Sequence, residues 1–412
     1  MPGDDDAGAH PAPHPAPHPA AHPASGLDAA AREGVRGLYL HVPLCFHKCH
    51  YCDFYSVEHD ADSPQGRDGQ ARFTDALLAE CRTWADLRPR TIFVGGGTPT
   101  LLAARHWRRL LDALRAMGVL HHVDEFTVEA NPETVSDDLA ATLAAGGVNR
   151  VSIGCQSFNP AHLKTLERWH DPRNVSVAMD RFRAHGIRRI NLDLIFGIPG
   201  QTAEDVAADL EAALALRPTH LSYYGLTYEP NTAMTQRLRQ GRFEPVAEAV
   251  EGRMYDLIRR RLAEVGFEQY EISAWAGPSA SGDGSDGDER CRHNLTYWTS
   301  GDYVGLGPGA ASHVQGRRWK NAPRLSDYLV GSPHPAIVDA EVLTPRQQAV
   351  ERLMMGLRLR EGVTCASLPP DLPDPARVQA LIDLGLLDRT PTHLRLTDRA
   401  LPVSDSVIAE LT

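Results

Sequence analysis

The sequence predicts an α/β fold in which six β/α units form a partial barrel, followed by a small C-terminal winged-helix-like domain. From Gly37 onward, short β-branched runs alternate with amphipathic helical stretches, which is typical of parallel βαβ units. Polar or glycine-rich segments follow each predicted strand, as they do at the working end of a barrel. The C-terminal domain is indicated by two helices, a hairpin and a final helix within residues 345–412.

Hydrophobic periodicity places the elements of the barrel along the chain. The predicted strands are Leu38–Val42, Thr91–Val94, Glu125–Glu129, Arg150–Ile153, Ile190–Ile195 and Leu221–Leu226. The predicted helices lie near 71–88, 103–117, 136–145, 173–185, 203–216 and 246–265. Because parallel strands end at the same edge, we expect the segments that follow them to meet on one rim.

Composition changes divide the chain into four predicted regions. Residues 1–33 are rich in His, Pro and Ala and lack the apolar side chains that a core needs, so we predict a disordered tail. A metal-binding role for His10, His14, His18 and His22 stays open. The partial barrel is predicted over 34–275 and a connecting region over 276–344, beginning with a Gly/Ser/Asp-rich loop at 277–290. Residues 345–412 follow, with helices at 345–357 and 375–384, a stop at Gly385 and a hairpin at 393–397.

The overall composition excludes several classes of function. A net charge of −11 and a pI near 5.9 argue against a nucleic-acid binder, which needs a basic face. No apolar run approaches the roughly 18 residues of a membrane span, and no signal peptide is evident. We therefore predict a cytoplasmic protein without an integral membrane segment, and leave peripheral membrane association open.

Three of the seven cysteines lie together after the first strand, with the spacing C-x3-C-x2-C at Cys45, Cys49 and Cys52. Three such thiolates can bind three corners of a cubane iron–sulfur cluster and leave the fourth iron open for chemistry. A structural zinc site is the alternative, with a fourth ligand from among His41, His47 and His50. Zinc sites more often combine two C-x2-C pairs, and no second pair exists here. Inert buried cysteines are a further alternative.

Glycines and carboxylates stand at the ends of the next strands. Gly95–Gly97 precede Thr98 and Pro99, and glycines allow a ligand to approach the backbone closely. No Gly-Lys-Ser/Thr follows, so the segment is not a phosphate-binding loop. Glu129 and Asp193 could hydrogen-bond a ribose or an ammonium group. For each of them, a helix cap or a surface charge is the alternative interpretation.

These motifs resemble the radical S-adenosylmethionine (radical SAM) superfamily, and within it the oxygen-independent coproporphyrinogen III oxidase-like family. The run from Tyr39 through Cys45, Cys49 and Cys52 to Phe54 is similar to the opening motif of that family. The later segments Gly95–Pro99, Glu129–Pro132, Gln156–Ser157 and Asp193–Gly197 match in order, and the resemblance extends from residue 37 to the C-terminus. It implies a partial (β/α)6 TIM-like barrel of the radical SAM type.

The resemblance also implies the cofactors. The three cysteines would bind a [4Fe–4S] cluster, and S-adenosyl-L-methionine would chelate the open iron and could be cleaved to a 5′-deoxyadenosyl radical. Tyr39 and Tyr51 would flank both groups. Further contacts to S-adenosylmethionine would come from residues at the ends of the later strands and in the segments that follow them. These residues are Gly96, Gly97, Thr98, Glu129, Gln156, Arg168 and Asp193.

Two features favour the heme-chaperone branch of the family, whose members are usually called HemW. The motif of the porphyrinogen oxidases is similar to C-x3-C-x2-C-x-C, with a fourth cysteine. In this sequence Phe54 occupies the position of that fourth cysteine. The chain also carries His293-Asn-Leu-Thr-Tyr297-Trp298, which looks like a motif of the chaperones. His293 is therefore a candidate heme ligand, since imidazole commonly binds heme iron. In the alternative interpretation, His293 and Asn294 cap a turn, and Tyr297 and Trp298 fill the seam between barrel and C-terminal domain. His313 is a second, weaker candidate.

The resemblance predicts a heme chaperone that delivers heme to respiratory proteins and lacks coproporphyrinogen oxidase activity. One alternative is an oxygen-independent coproporphyrinogen III dehydrogenase, a radical SAM oxidoreductase of porphyrin biosynthesis. A second alternative is a non-catalytic cluster-binding regulatory protein. No residue is assigned a catalytic role.

Overall fold

The computed structural model describes residues 27–278 and 287–412. The predicted tail up to residue 26 and residues 279–286 of the predicted loop lie outside the described residues. The end of the predicted tail, however, forms a short helix, α1 (Ala29–Glu33). Asp28 caps it by accepting a 2.8 Å hydrogen bond from the Ala31 amide, and Ala31 is buried. The prediction of disorder through residue 33 was therefore too long at its C-terminal end.

The structure contains these strands and helices, numbered along the chain. The strands are β1 (Gly37–Val42), β2 (Leu44–Cys45), β3 (Val57–Glu58), β4 (Thr91–Gly96), β5 (Glu125–Ala130), β6 (Arg150–Gln156), β7 (Arg189–Phe196), β8 (His220–Gly225), β9 (Glu268–Glu271), β10 (Ala274–Ala276), β11 (Tyr303–Leu306), β12 (Ala311–Val314), β13 (Arg317–Asn321), β14 (Ile337–Val342), β15 (Val363–Thr364), β16 (Leu387–Arg389) and β17 (His393–Leu396). The helices after α1 are α2 (Pro64–Arg82), α3 (Ala104–Ala116), α4 (Asp137–Ala145), α5 (Pro160–Thr165), α6 (Arg173–Ala184), α7 (Ala203–Ala215), α8 (Ala233–Arg239), α9 (Glu248–Glu264), α10 (Arg292–Trp298), α11 (Leu325–Gly331), α12 (Pro345–Gly356), α13 (Pro375–Asp383) and α14 (Ser404–Leu411).

The predicted α/β architecture is confirmed. Among the described residues, twelve strands form one sheet in the order β14-β13-β12-β11-β1-β4-β5-β6-β7-β8-β10-β9. The six predicted strands, β1 and β4 through β8, are parallel neighbours within it. Most of their side chains are buried, as expected for parallel strands that helices cover.

The connecting region extends this sheet in a way that the sequence does not predict. Strand β11 pairs with β1 in parallel, and β12, β13 and β14 continue the sheet in antiparallel order. The predicted division of the chain at residues 275 and 344 stays a prediction, and the sheet runs across the first of these boundaries. Strand β11 is only four residues long, so its periodicity is too short to indicate a strand.

Five predicted helices of the barrel agree with the structure to within two residues, whereas the first is misplaced. Helix α2 begins at Pro64 and ends at Arg82, not at 71 and 88. Ser63 caps it by accepting a 2.9 Å hydrogen bond from the Gly66 amide, and Pro64 occupies the first helical position. These two capping signals mark the helix start better than the hydrophobic pattern does.

The C-terminal unit has the predicted order of elements. Helix α13 ends before Gly385, which has a φ of +70° that favours glycine. Its small sheet has the order β15-β17-β16, so residues 393–397 supply only one arm of the hairpin and Leu387–Arg389 supplies the other. The Arg358 guanidinium lies 4.9 Å from the Trp298 ring and attaches this unit to α10. Within the described parts of the chain, we find no helix with the length and apolarity needed to cross a bilayer.

Candidate functional site

The loop that carries the three cysteines is fastened at both ends. Strands β2 and β3 close it, with the Val57 amide donating to the Pro43 carbonyl at 2.7 Å. The glycine-rich segment after β4 holds its start. There the Gly97 amide donates to the Val42 carbonyl at 2.8 Å and the Thr98 amide to the Leu44 carbonyl at 2.7 Å. The cysteine loop therefore lies directly against the end of β4.

Close packing explains why glycines occupy this strand end. A Cβ at position 97 would lie 2.6 Å from the Leu44 carbonyl oxygen and 3.0 Å from the Cys45 sulfur. At Gly96 the φ is +112°, and a Cβ would lie 2.6 Å from the His41 ring. The sequence suggested that a ligand requires these glycines. In the structure, the cysteine loop itself already requires Gly97.

One cavity of about 420 Å³ gathers almost all of the predicted site residues at the C-terminal ends of the strands. The predicted residues that line it are Cys45, Cys49, Tyr51, Cys52, Gly96, Gly97, Thr98, Glu129, Gln156, Arg168 and Asp193. Among the residues predicted to bind the cluster or S-adenosylmethionine, Tyr39 is the exception. It lies on β1 with its hydroxyl 3.0 Å from His41 Nδ1, and it lines two neighbouring cavities instead.

Arg168 reaches the cavity from the turn after α5. Its Nη2 donates to the Gly154 carbonyl at 2.9 Å, and its Nη1 lies 3.8 Å from Cys49 Sγ. Its Nε is buried without a hydrogen-bond partner among the described residues. A buried guanidinium N–H without a partner is costly, and a carboxylate is the partner it suits best.

Glu129 and Asp193 lie within strands β5 and β7 and are only partly exposed at the cavity, so neither is a surface charge or a helix cap. Glu129 accepts a 3.1 Å hydrogen bond from the Gly96 amide, and burial together with the nearby Asp193 raises the pKa of Glu129 to about 8. Asp193 accepts from Ser152 Oγ at 2.8 Å and from Asn191 Nδ2 at 2.9 Å. Burial also raises the pKa of Asp193.

Gln156 has an unusual backbone conformation at the end of β6. Its φ is 65°, and the β6–β7 register shifts between Gly154 and Gln156, which marks a bulge. Left-handed backbone is strained for a residue other than glycine, and bulges redirect side chains next to functional sites. Gln156 lines the cavity at this bulge.

The sequence interpretation missed the interior residues further down the same strand. Ser152 lines the cluster cavity, and Arg150 lines a smaller cavity deeper in the barrel, only 2% exposed. Side chains alternate between the two faces of a strand, so Arg150, Ser152, Gly154 and Gln156 share one face of β6. Counting back from the predicted Gln156 in steps of two residues would have identified Ser152 and Arg150.

The structure does not supply the fourth ligand that a zinc site would need. His41 Nε2 lies 2.9 Å from the Tyr55 carbonyl, His47 stacks on Trp169, and His50 Nδ1 lies 3.0 Å from an Arg237 nitrogen. No three His, Cys, Asp or Glu side chains of residues 27–278 and 287–412 converge on one ion. A cubane cluster does not require such convergence, because each cysteine binds a different iron.

Comparison with known protein families agrees with this geometry. Residues 39–213 match the radical SAM superfamily, and residues 343–403 match the HemN C-terminal domain. The heme chaperone HemW of Mycobacterium tuberculosis (strain ATCC 25618 / H37Rv) is 35% identical over 382 residues, which cover 91% of this chain and 94% of that protein. The chain belongs to the HemW family of radical SAM proteins.

Two further HemW proteins show the same relationship. The Lactococcus lactis protein is 36% identical, with 79% of this chain and 82% of that protein covered. The Escherichia coli protein is 40% identical, with 67% and 70% covered. The coproporphyrinogen III oxidase (HemN) structure from E. coli has a TM-score of 0.75 at 21% identity and covers 93% of this chain and 92% of that chain. At that identity the likeness concerns the fold alone.

Membership of the radical SAM superfamily implies a [4Fe–4S] cluster and S-adenosylmethionine, and the residues of the cavity fit both. Cys45, Cys49 and Cys52 are free thiols that line the cavity together, and they are the residues that would bind such a cluster. Burial raises the pKa of the Cys52 thiol to about 11, so cluster binding has to displace its proton. The unpartnered Arg168 Nε and the acidic groups Glu129 and Asp193 suit the carboxylate and the polar hydrogens of an amino-acid-bearing nucleoside.

His293 lines a smaller cavity of about 260 Å³, which Glu129 and Asp193 also line. It is fully buried at the start of α10, with Nδ1 2.8 Å from Thr91 Oγ1 and Nε2 2.7 Å from the Tyr297 hydroxyl. Its amide donates to the buried Glu125 carboxylate at 3.0 Å. Both ring nitrogens of His293 thus have hydrogen-bond partners within the protein, so His293 has a structural role whether or not the motif binds heme. His313 lies on β12 and lines a large separate cavity.

Proposed function

We propose that this protein is a heme chaperone that binds heme, a [4Fe–4S] cluster and S-adenosylmethionine. The observation that carries this proposal is the similarity, over nearly the full chain, to proteins named heme chaperones. The cavity at the strand ends supports it, because the residues expected to hold the cofactors meet there.

We propose the following roles for the cavity residues. Cys45, Cys49 and Cys52 bind the cluster, which supplies one-electron chemistry at an iron that carries no cysteine. Arg168 binds the carboxylate of S-adenosylmethionine through its guanidinium. The backbone of Gly96 to Thr98 borders the methionyl part. The remaining polar groups contact Tyr51, Glu129, Gln156 and Asp193.

Phe54 favours the assignment of this protein as a heme chaperone over its assignment as a coproporphyrinogen oxidase. Its side chain is 62% exposed and lines the cluster cavity. The oxidase-like motif has a further cysteine at this position. A phenyl ring there offers no ligand and no proton-transfer group. We propose that the protein has no coproporphyrinogen oxidase activity, and the dehydrogenase remains the runner-up.

One anaerobic experiment separates the candidates. The full chain is reconstituted with iron and sulfide, titrated with heme with and without S-adenosylmethionine, and incubated with coproporphyrinogen III and a reductant. We expect stoichiometric heme binding and no protoporphyrinogen IX. Turnover of coproporphyrinogen III would establish the dehydrogenase instead. A cluster that forms without heme binding or turnover would favour the regulatory protein.

We further propose respiratory heme proteins as the recipients and the cytoplasm as the compartment, with transient contact at the membrane surface. The test is heme transfer from the loaded protein to membrane vesicles that contain heme-free respiratory complexes, followed by heme absorbance in the vesicles. Transfer no faster than from heme-loaded albumin would contradict the proposal.

A further inference from the structure

A second cavity, of about 850 Å³, lies between the sheet extension, helices α10 and α12, and the end of the cysteine loop. Binding sites for small molecules usually enclose about 300–1,000 Å³, so it can hold a ligand of heme size. Phe54 and Asp53 line both this cavity and the cluster cavity. The two sites are therefore direct neighbours.

The sheet places one row of side chains toward this cavity. Tyr303 on β11 pairs with His313 on β12, which pairs in turn with Arg318 on β13. Cross-strand partners lie on the same face, and Lys320, two residues beyond Arg318, shares that face. The row combines an aromatic ring, an imidazole and two cations.

Helices α10 and α12 add apolar and aromatic side chains to the lining, beside the carboxylates of Asp53, Asp339, Glu341 and Glu351. Met354 and Met355 on α12 face the cavity, together with Tyr297 and Trp298 on α10. Trp298 Nε1 is buried and has no hydrogen-bond partner among the described residues, and the same holds for Ser300 Oγ.

Two of the groups in the row are free to bind a ligand. His313 Nδ1 lies 3.8 Å from Asp302 Oδ1, and no described residue hydrogen-bonds to Nε2. A carboxylate beside one ring nitrogen orients the other nitrogen for metal binding. Arg318 pairs with Glu341 and Glu351, whereas Lys320 forms no ion pair within the described part of the chain. Lys320 is thus the cation available for an added carboxylate.

We propose that this second cavity is the heme site, with His313 Nε2 as the iron ligand and Lys320 as the partner of a propionate. Heme is a flat apolar macrocycle with two carboxylates and an iron that accepts an imidazole nitrogen. The aromatic and methionine side chains contact the macrocycle. The inference rests on the proposed function. It assigns heme to a site different from that of His293, and it places the cargo beside the cluster with Phe54 between them.

The test is a heme titration of the cluster-reconstituted full chain, followed by the Soret band. His313→Ala should weaken heme affinity by about tenfold or more, on the scale of lost metal-site contacts, and should shift the Soret band. His122→Ala is the matched control, because His122 is exposed and lies outside the cavity. It should change neither quantity.

Lys320→Gln provides a second test that leaves the iron ligand intact. It should weaken heme binding by about tenfold, the cost of one hydrogen bond to a charged group. Binding of heme dimethyl ester, which lacks the carboxylates, should not change. Equal loss for both compounds would contradict the role of Lys320.

The outcomes separate the site from the function. If the unmodified protein binds no heme, the proposed function fails. If it binds heme and the His313 and Lys320 variants bind equally well, the site is wrong and the function stands. The titration is repeated after replacement of His10, His14, His18 and His22 by alanine. Loss of heme binding in that variant would assign the heme to the tail and overturn the inference.

Discussion

Arg168 connects the cysteine loop to the end of β6, with its Nη1 3.8 Å from Cys49 Sγ and its Nη2 donating to the Gly154 carbonyl at 2.9 Å. The same guanidinium keeps a buried Nε without a partner beside the cavity. One side chain thus positions a cluster ligand and offers a donor to the cosubstrate.

Replacement of Cys49 by alanine should abolish the visible charge-transfer absorbance of the reconstituted protein, because a cubane held by two cysteines loses an iron ligand. Cys365→Ala is the matched control, since Cys365 lies in the C-terminal unit outside the cavity. Absorbance and iron content measure the result. A cluster spectrum that survives in Cys49→Ala would show that the ligands are assigned incorrectly.

Gly97→Ala should lower cluster content, because its Cβ would lie 2.6 Å from the Leu44 carbonyl and would displace the cysteine loop. Gly252→Ala on α9 is the control, since a Cβ there meets no atom within 4 Å. That change should be neutral or stabilise the helix by up to about 1 kcal/mol. Iron content and thermal unfolding of both variants test this prediction. Equal iron content would contradict it.

Arg168→Lys should weaken S-adenosylmethionine binding by about 10- to 100-fold, the range expected for one hydrogen bond to a charged group. Lysine keeps the charge but cannot contact Cys49, Gly154 and a carboxylate at once with a planar fork. Calorimetric titration of the reconstituted protein measures the affinity, with iron content as the control. Unchanged affinity at normal iron content would remove Arg168 from the binding site.

His293→Gln should destabilise the protein without changing its heme spectrum, because both ring nitrogens are engaged in buried hydrogen bonds. Loss of buried partners typically costs about 1–3 kcal/mol. Urea unfolding at pH 7 and heme titration test the two halves of the prediction. A lost or shifted Soret band in a folded variant would restore His293 as the heme ligand.

The destabilisation by His293→Gln should also depend on pH. Burial lowers the pKa of His293 to about 4, below its ordinary value of 6.5. Between pH 6.5 and pH 4 the histidine is therefore protonated in the unfolded chain but neutral in the folded protein. The stability that neutral His293 contributes is present above pH 6.5 and is lost as the pH falls, because protonation favours the unfolded chain. From pH 7 to pH 5 the difference in unfolding free energy between the two proteins should shrink by about 2 kcal/mol. A constant difference would contradict the buried neutral state.

Much of the candidate site could be predicted because its residues belong to short sequence patterns. The spacing of Cys45, Cys49 and Cys52, the glycines after β4 and the carboxylates at strand ends are short-range signals. Parallel strands then bring these segments to one rim. The role of Gly97 in packing could not be predicted, because it depends on Leu44 and Cys45, which lie on another strand end.

The sequence by itself determined the order of the six barrel strands, the cluster-binding spacing and the likeness to the radical SAM superfamily. Each of these depends on residues close together in the chain or on the order of segments along it. Only the tertiary structure decided that β11 joins β1, that His293 is enclosed, and that His313 faces a cavity. Contacts between distant segments govern burial and hydrogen bonding, and periodicity within one segment does not specify them.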